Sequence, residues 1–328
     1  MLQLYINYPS WIHPEIFPSI PFLNLIRWYG LMYIFAFATA YFLLKKVAKE
    51  GLLDSENYKF AEDDLFSFIT TGIIFLLIGA RLFSTLIYDT SGIYLKKPWL
   101  IFWPFDQQGK FTGLAGMSYH GGFVGGLIGM IFWCKRHKQP VFKWVDAMVC
   151  AIPAGYTFGR LGNFLNGELY GRITTMPWGI VFPQAEKFSS SLSWVKNFAA
   201  SINMTILDNT LVNLPRHPSQ LYEALFEGLI LWLIIWMLRK HKKFDGMLSM
   251  IYAGGYGIFR FVIEYFREPD SDLGYRISSQ TDAPIYLNTS LFNFSTGQVL
   301  CFFMILFAIV GTITLVILNK RKKQISKK

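Results

Sequence analysis

Apolar residues dominate seven separate stretches of the chain, each about 17–24 residues long. Because a membrane-spanning α-helix requires about 20 mainly apolar residues, each stretch is predicted to cross a bilayer. The predicted spans are 28–44, 65–88, 117–134, 144–165, 219–238, 247–266 and 298–318. The pattern therefore predicts an all-α integral membrane protein with seven transmembrane helices in a single membrane domain, residues 1–328.

The composition excludes several classes of soluble protein. Hydrophobic residues make up 53% of the chain and charged residues 16%, whereas an ordinary soluble domain has about 25% charged residues. The net charge of +10 does not indicate a nucleic-acid binder, because the Lys and Arg residues fall between apolar runs rather than on one soluble face. Three cysteines, Cys134, Cys150 and Cys301, lie in apolar stretches and are predicted to be packing residues rather than a disulfide framework.

The distribution of Lys and Arg predicts the orientation of the spans. Eighteen of these residues lie in the loops after spans 1, 3 and 5 and in the C-terminal tail, against ten on the opposite side. Since basic residues in short loops stay on the cytoplasmic side, the N-terminus is expected outside and the C-terminus inside. The first 20 residues lack a basic start and contain Pro9, Pro14 and Pro18, so no cleavable signal peptide is expected.

Two segments are expected on the outer surface. Residues 166–217 are polar and are predicted to form a small periplasmic head between spans 4 and 5, with a short strand near Ile180. Residues 267–297 form a second polar outer loop. Within span 3, Gly-x-x-x-Gly spacings at Gly121–Gly125, Gly122–Gly126 and Gly125–Gly129 favour close approach of two helix backbones.

Three arginines, Arg81, Arg160 and Arg260, lie inside predicted spans. An arginine at the membrane centre costs about 2.5–3.5 kcal/mol even on the lenient insertion scale. Each lies five to seven residues from the predicted outer end of its span, so all three fall about 7–11 Å from that end. Separate snorkelling to the headgroups is one explanation. A shared anion such as a lipid phosphate explains three arginines at one depth better.

Two segments of the chain place further polar groups near Arg160 and Arg260 in the sequence. Tyr256, Arg260, Glu264 and Arg267 are spaced to share one helix face, so Glu264 can pair with Arg260, either as a structural ion pair or as part of a site. The segment from Gly159 to Arg172 places Arg160 and Asn163 one turn apart among several glycines.

One histidine and three further polar residues near the predicted outer ends of spans also have ordinary structural explanations. His120 lies near the predicted outer end of span 3 and can serve as a general base. The alternative is a histidine at the level of the headgroups without a role. Tyr29 is also explained as an interface anchor. Glu223 and Glu227 are one turn apart near the start of span 5, where solvation of a helix end explains them. The chain contains no zinc-protease motif, phosphate-binding Walker loop or Gly-x-Ser-x-Gly elbow.

Together these motifs resemble the prolipoprotein diacylglyceryl transferase family of bacterial membrane enzymes. The resemblance covers nearly the whole chain in order, and it is most specific in the segment from Gly159 to Gly171. The matching segments are Trp28 to Tyr33, Ser118 to Gly122, Gly159 to Arg172, Arg216 to Glu223 and Gly255 to Pro269.

The resemblance implies a seven-helix enzyme of the bacterial inner membrane with its active site towards the periplasmic leaflet. Such an enzyme transfers the diacylglyceryl group of phosphatidylglycerol to the lipobox cysteine of a preprolipoprotein signal peptide and releases glycerol phosphate. No cofactor or metal is implied. The family's functional positions match His120, Arg160, Asn163, Glu168, Gly171, Tyr256, Arg260, Glu264 and Tyr29.

The residues also suggest a division of roles. Arg160 and Arg260 would bind the phosphate, and His120 would take the proton of the substrate thiol. Glu264 would orient Arg260 or share in proton handling. A lipid or anion transporter is the first alternative, but it would place its site near the bilayer midplane between repeated halves. A lipid-binding scaffold without catalysis is the second, and it would not need His120.

Overall fold

The structure is a computed structural model that describes residues 4–20, 26–54, 58–105, 116–269, 273–280 and 283–325. Most of these residues are helical. They divide into two compact units, the first formed by Met1–Leu43 with Met148–Lys328 and the second by Leu44–Ala147.

Helices account for most of both units, and the strands are short. The helices are α1 (Trp28–Lys49), α2 (Glu62–Phe83), α3 (Ile93–Lys96), α4 (Tyr119–Arg136), α5 (Val141–Val149), α6 (Ile152–Leu165), α7 (Ser193–Ser201), α8 (Ser219–Glu223), α9 (Leu231–Leu238), α10 (Met247–Ile263) and α11 (Thr296–Ile325). The π-helical turns Ser84–Tyr88 and Ala224–Ile230 follow α2 and α8, and 3-10 turns cover Pro98–Phe102 and Arg239–His241. The strands are β1 (Ile6–Asn7), β2 (Ile180–Val181), β3 (Lys187–Ser189), β4 (Leu211–Asn213), β5 (Tyr275–Ile277) and β6 (Phe294–Ser295).

Within the part of the chain that the structure describes, four helical runs are long and apolar enough to cross a membrane. They are Trp28–Lys49, Glu62–Tyr88, Ser219–His241 and Thr296–Ile325, and they confirm long apolar helices at the predicted spans 28–44, 65–88, 219–238 and 298–318. The predicted span 247–266 corresponds to the shorter apolar helix α10, and the predicted span 117–134 corresponds to α4.

The continuous helix predicted over 144–165 is wrong, because this stretch forms two helices. The first, α5, ends at Val149, and α6 begins at Ile152 with Pro153 in its first turn. Proline is favoured in the first turn of a helix because a backbone N–H there has no acceptor within the helix, so the missing N–H of proline costs nothing. Both flanks are apolar, so the hydrophobic pattern alone does not reveal the break.

A seam of glycines joins α2 to α4 within the unit Leu44–Ala147. A Cβ atom at Gly121 or Gly125 would overlap a backbone oxygen of α2, and a Cβ at Gly129 would lie 2.7 Å from Phe75 Cβ. Because Gly121 faces Gly79 while Gly129 faces the earlier Phe75, the two helices run antiparallel. The end of α2 and the start of α4 therefore lie at the same end of the pair.

Two small apolar clusters support the segment 166–217 in the other unit. Strands β3 and β4 pair in antiparallel register with Phe188 opposite Val212, and both residues join Ile173, Val195 and Leu214 in one buried cluster. The predicted strand near Ile180 is present as β2, which pairs in parallel with β1. Beside β2, Phe182 is buried with Ile180 and Ala185.

The glycine seam predicts that two neighbouring substitutions in α4 change the stability of the protein in opposite directions. Gly125→Ala introduces a methyl group against the α2 backbone, and overpacking of this kind costs about 1–3 kcal/mol. At Gly126 the nearest atoms of Leu76 are 3.9 Å from an added Cβ, so Gly126→Ala should gain about 0.5–1 kcal/mol of helix stability. Thermal unfolding in detergent should show a lower midpoint for the first variant only, and equal midpoints would contradict the seam.

Candidate active site

Arg160 lies on α6, and its Nε atom pairs with the buried carboxylate of Glu223. Arg160 Nε is 2.8 Å from Glu223 Oε2, and the guanidinium carbon lies 4.7 Å from the centre of the Tyr156 ring. Among the described residues, Nε is the only guanidinium nitrogen of Arg160 within ion-pair distance of a carboxylate. The side chain is thus anchored on one edge, while its two terminal nitrogens remain for another acceptor.

Arg260 lies on α10 and contacts three carboxylates. Its Nη1 atom is 3.1 Å from Glu223 Oε1 and 3.8 Å from Glu227 Oε1, while Nη2 is 2.9 Å from Glu264 Oε2. The spacing of Arg260 and Glu264 by one helical turn, noted in the sequence, explains the last pair. Despite its proximity to Glu223, buried Nη1 makes no hydrogen bond with acceptable geometry.

Glu223 joins the two arginines and is fully buried, as is Glu227. Glu223 ends α8 and Glu227 lies in the π-helical turn that follows, while the Tyr156 hydroxyl donates to Glu227. Solvation of a helix end, the explanation offered by the sequence, is therefore wrong for this pair. Two carboxylates one turn apart in an apolar helix require buried cations, and that signal could have identified them.

Arg267 and Ser295 complete the cluster around Glu264. Arg267 Nη1 is 3.9 Å from Glu264 Oε1, and Arg267 Nε is 3.7 Å from Glu223 Oε1. The buried Ser295 hydroxyl, at the end of β6, donates to Glu264 Oε1 at 2.8 Å. Arg267 and Ser295, which flank the segment 267–297, therefore both contribute to the cluster. Three guanidinium groups face three carboxylates, so their formal charges balance when all six groups are ionised.

The last turn of α6 carries Asn163, and the loop that follows carries Glu168 and Gly171. Asn163 Nδ2 donates to Glu168 Oε1 at 2.9 Å. Gly167 and Leu169 have positive φ angles of 67° and 55°, so the backbone turns out of the helix in this segment. A Cβ atom at Gly171 would overlap the carbonyl oxygen of Phe266, and this close approach requires glycine.

Tyr29 and Tyr256 both pack against residues of α6. Tyr29 packs against Gly162 of α6, where an added Cβ would lie 3.2 Å from the ring. Its hydroxyl is 3.1 Å from the Tyr33 hydroxyl. The Tyr256 ring meets the Tyr156 ring edge to face, with centres 6.0 Å apart. Tyr156 also lies under Arg160 and donates to Glu227, so it links Tyr256 to the charged cluster.

His120 and Arg81 belong to the unit Leu44–Ala147. His120 lies in the first turn of α4, its imidazole is exposed, and its Nδ1 atom is 2.8 Å from the Tyr88 hydroxyl. Arg81 is buried and donates to the carbonyl oxygens of Ile101 and Gly116. The structure brings Arg160 and Arg260 together through Glu223, whereas the convergence of Arg81 with them stays a prediction.

A second imidazole, His217, precedes α8. Burial and the positive charge of Arg172 lower the pKa of His217 to about 4, so this side chain is neutral and weakly basic at pH 7. Its Nδ1 atom is 3.2 Å from the Tyr222 hydroxyl. His217 is therefore a poorer candidate for a general base than an imidazole with the usual basicity. No cluster of metal-binding side chains occurs among the described residues.

Replacement of the shared carboxylate should destabilise the protein. Glu223→Gln leaves Arg160 and Arg260 without their common counter-ion, and breaking a buried ion pair costs about 3–5 kcal/mol. The matched control is Glu62→Gln, because Glu62 is half exposed and pairs with Lys45 and Lys49, where a pair contributes about 0–1 kcal/mol. Thermal unfolding in detergent should separate the two variants, and equal midpoints would contradict the central role of Glu223.

The sequence matches known proteins over nearly its full length. The family model described as prolipoprotein diacylglyceryl transferase matches residues 16–314. The phosphatidylglycerol–prolipoprotein diacylglyceryl transferase of Treponema denticola is 52% identical over 98% of this chain and 98% of its own length. Proteins of the same name from Treponema pallidum and Campylobacter jejuni (strain 81-176) are 49% and 36% identical, covering 97% and 87% of this chain and 98% and 88% of their own lengths. The chain belongs to the prolipoprotein diacylglyceryl transferase family.

Proposed function

We propose that this chain transfers the diacylglyceryl group of phosphatidylglycerol to the lipobox cysteine of a preprolipoprotein, the first step of bacterial lipoprotein maturation. In this reaction the cysteine sulfur forms a thioether bond to a glycerol carbon of the diacylglyceryl group. The bond from that carbon to the phosphate oxygen breaks, and glycerol phosphate leaves. Family membership supports the reaction, and the pairing of Arg160 with Arg260 through Glu223 is the structural observation that carries it.

The two arginines bind the phosphate of phosphatidylglycerol in this proposal. Arg160 is anchored through Nε, and Arg260 retains a buried Nη1 that makes no hydrogen bond. Both can donate to phosphate oxygens while Glu223 holds them in place. As the carbon–oxygen bond breaks, negative charge develops on the leaving phosphate, and fixed guanidinium groups stabilise it.

The remaining residues position the substrates or handle the proton. His120 accepts the thiol proton, because the thiolate is the nucleophile, and Glu264 orients Arg260 through the 2.9 Å ion pair. Five further residues are assigned to binding phosphatidylglycerol because they match the family's functional positions. They are Tyr29, Asn163, Glu168, Gly171 and Tyr256. The family resemblance implies no metal or cofactor for this reaction.

The protein is proposed to cross the bacterial inner membrane seven times. In addition to the four long apolar helices, α4, the broken pair α5–α6 and α10 supply the other three spans. The N-terminus lies outside and the C-terminus inside, which places the head, residues 166–217, in the periplasm and the site towards the periplasmic leaflet. A signal peptide that has crossed the membrane presents its cysteine on that side.

Transfer activity should depend on arginine itself at two positions. The purified protein, incubated with phosphatidylglycerol and a lipobox peptide, should add one diacylglyceryl mass to the peptide. Arg160→Lys and Arg260→Lys should each lower the transfer rate by about 10–100-fold, because lysine offers a point charge rather than a planar fork. Arg81→Lys is the control and should retain more activity, since Arg81 donates to backbone carbonyls.

Other outcomes of this assay would favour other functions. Near-normal rates for both Arg160→Lys and Arg260→Lys would contradict phosphate binding by these residues. His120→Asn should remain folded and bind phosphatidylglycerol without transferring its diacylglyceryl group, and full activity in that variant would contradict the role of His120 as a base. Absence of any mass shift in the unmodified protein, with lipid binding retained, would indicate a scaffold or a transporter.

The orientation can be tested with reporters of compartment. A reporter fused after Lys323 should behave as cytoplasmic, and one inserted near Ser190 as periplasmic, because basic loops remain inside. Both sites lie outside the predicted spans. A periplasmic signal at Lys323 would overturn the proposed orientation and, with it, the placement of the arginines in the outer leaflet.

A further inference from the structure

The first turn of α11 is closed by a capping box. The hydroxyl oxygen of Ser295, the residue before α11, accepts from the backbone N–H of Gln298 at 3.2 Å, and the side-chain oxygen of Gln298 accepts from the backbone N–H of Ser295 at 3.0 Å. Serine followed three residues later by glutamine is the sequence pattern of this motif. Gln298 Nε2 also donates to the carbonyl of Phe261 in α10 at 3.4 Å. The start of α11 is thereby fixed against α10.

The capping box leaves the proton of the Ser295 hydroxyl for Glu264. A backbone N–H only donates, so the hydroxyl accepts from Gln298 and its own O–H points to another acceptor. That acceptor is Glu264 Oε1, at 2.8 Å. Serine, glutamine and glutamate are all buried, and a hydrogen bond to an ionised carboxylate is stronger than one between neutral groups.

Gly297, in the first turn of α11, gives the carboxylate its space. A Cβ atom at Gly297 would lie 2.8 Å from Glu264 Oε1 and 3.0 Å from the carboxyl carbon. Any side chain at this position would therefore displace Glu264. Because glycine is present, the carboxylate lies against the N-terminal turn of α11, where the helix macrodipole favours a negative charge.

The other oxygen of Glu264 faces Arg260. Arg260 Nη2 is 2.9 Å from Glu264 Oε2, while Oε1 carries the hydrogen bond from Ser295. One carboxylate is thus held on one side by the start of α11 and pairs on its other side with an arginine of α10. The position of the carboxylate limits the orientations that the guanidinium group can adopt.

We propose that Ser295 and Gly297 are positioning residues for the transfer reaction: they hold the Glu264 carboxylate at the start of α11, so that Arg260 faces the phosphate that leaves. Both act through Glu264 and Arg260 rather than on the substrate itself. This inference rests on the proposed function, in which Arg260 stabilises the negative charge that develops on the phosphate.

Removal of the hydroxyl tests the part played by Ser295. In the transfer assay with phosphatidylglycerol and a lipobox peptide, Ser295→Ala should lower kcat about tenfold, less than the 10²–10³-fold effect of losing a donor to a developing charge outright. The KM for the peptide should stay unchanged. The matched control is Thr296→Ala, because the Thr296 hydroxyl accepts from Arg276 Nε at 3.0 Å. It should leave kcat unchanged.

Gly297→Ala tests the same geometry with the capping box intact. The added methyl group meets the end of a flexible side chain rather than backbone, so the protein can fold by moving the carboxylate, and alanine also favours the helix. We expect a thermal midpoint in detergent close to that of the unmodified protein and a kcat about tenfold lower. The control is Gly254→Ala in α10, where the added Cβ would contact Ala308 at 3.3 Å and kcat should be retained.

A double variant separates positioning from a general loss of stability. Residues that act as a unit have non-additive effects on rate. If Ser295 acts through Arg260, Ser295→Ala should lower the rate of the Arg260→Lys variant by less than about twofold. A further tenfold loss in the double variant would mean that the two residues act independently, and it would overturn the positioning role.

The outcomes distinguish this inference from the proposed function. Normal kcat in both Ser295→Ala and Gly297→Ala, or losses confined to KM, would overturn the inference while a slow Arg260→Lys variant still supports the proposed function. Near-normal transfer by Arg260→Lys would instead contradict the role of Arg260 at the phosphate, and the positioning role with it. Lower kcat in both Ser295→Ala and Gly297→Ala, together with a non-additive double variant, supports the proposal.

Discussion

The candidate site depends on one buried carboxylate, Glu223. It lies between Arg160 of α6 and Arg260 of α10, within 2.8 Å and 3.1 Å of their nitrogens. Burial of an arginine without a counter-ion would cost several kcal/mol. Glu223 is the carboxylate that pairs with both arginines, and Glu227 and Glu264 add further ion pairs at Arg260. Because a single side chain ties two helices together, the spacing of the two guanidinium groups is set before any substrate arrives. Preorganisation of this kind is what electrostatic stabilisation of a developing charge requires.

Backbone contacts hold the elements that carry this cluster. Gly171 donates its N–H to the carbonyl of His217, and Arg172 donates its N–H to the carbonyl of Phe266, both at 2.8 Å. The turn after α6 is thereby attached to the residues that precede α8 and to those that follow α10, the same three elements that supply Arg160, Glu223 and Arg260. A side chain at Gly171 would separate them. The glycine therefore acts on the site through backbone packing.

The sequence predicted those parts of the structure that depend on local spacing. Apolar runs predicted four long helices correctly, and the turn spacing of Arg260 and Glu264 predicted their pairing. Spacing along one helix does not reveal a partner on another, so the sequence alone explains Glu223 and Glu227 by solvation of a helix end. The break between α5 and α6 was missed because both sides of it are apolar and Pro153 alone marks it. The hydrogen bond between Tyr88 and His120 involves a residue of a π-helical turn, and a hydrophobic pattern does not predict such a turn.

The balance of charges in the cluster constrains the ligand that the proposed function assigns to it. Arg160, Arg260 and Arg267 face Glu223, Glu227 and Glu264, so an incoming phosphate meets no formal excess of positive charge when all six groups are ionised. Attraction must then come from the N–H groups that the carboxylates leave unused, such as those of Arg260 Nη1. Such a site favours a phosphodiester, with one negative charge, over a phosphomonoester with nearly two at pH 7. Phosphatidylglycerol is the first kind of ligand and glycerol phosphate the second, so the same carboxylates that hold the arginines in place also favour release of the product.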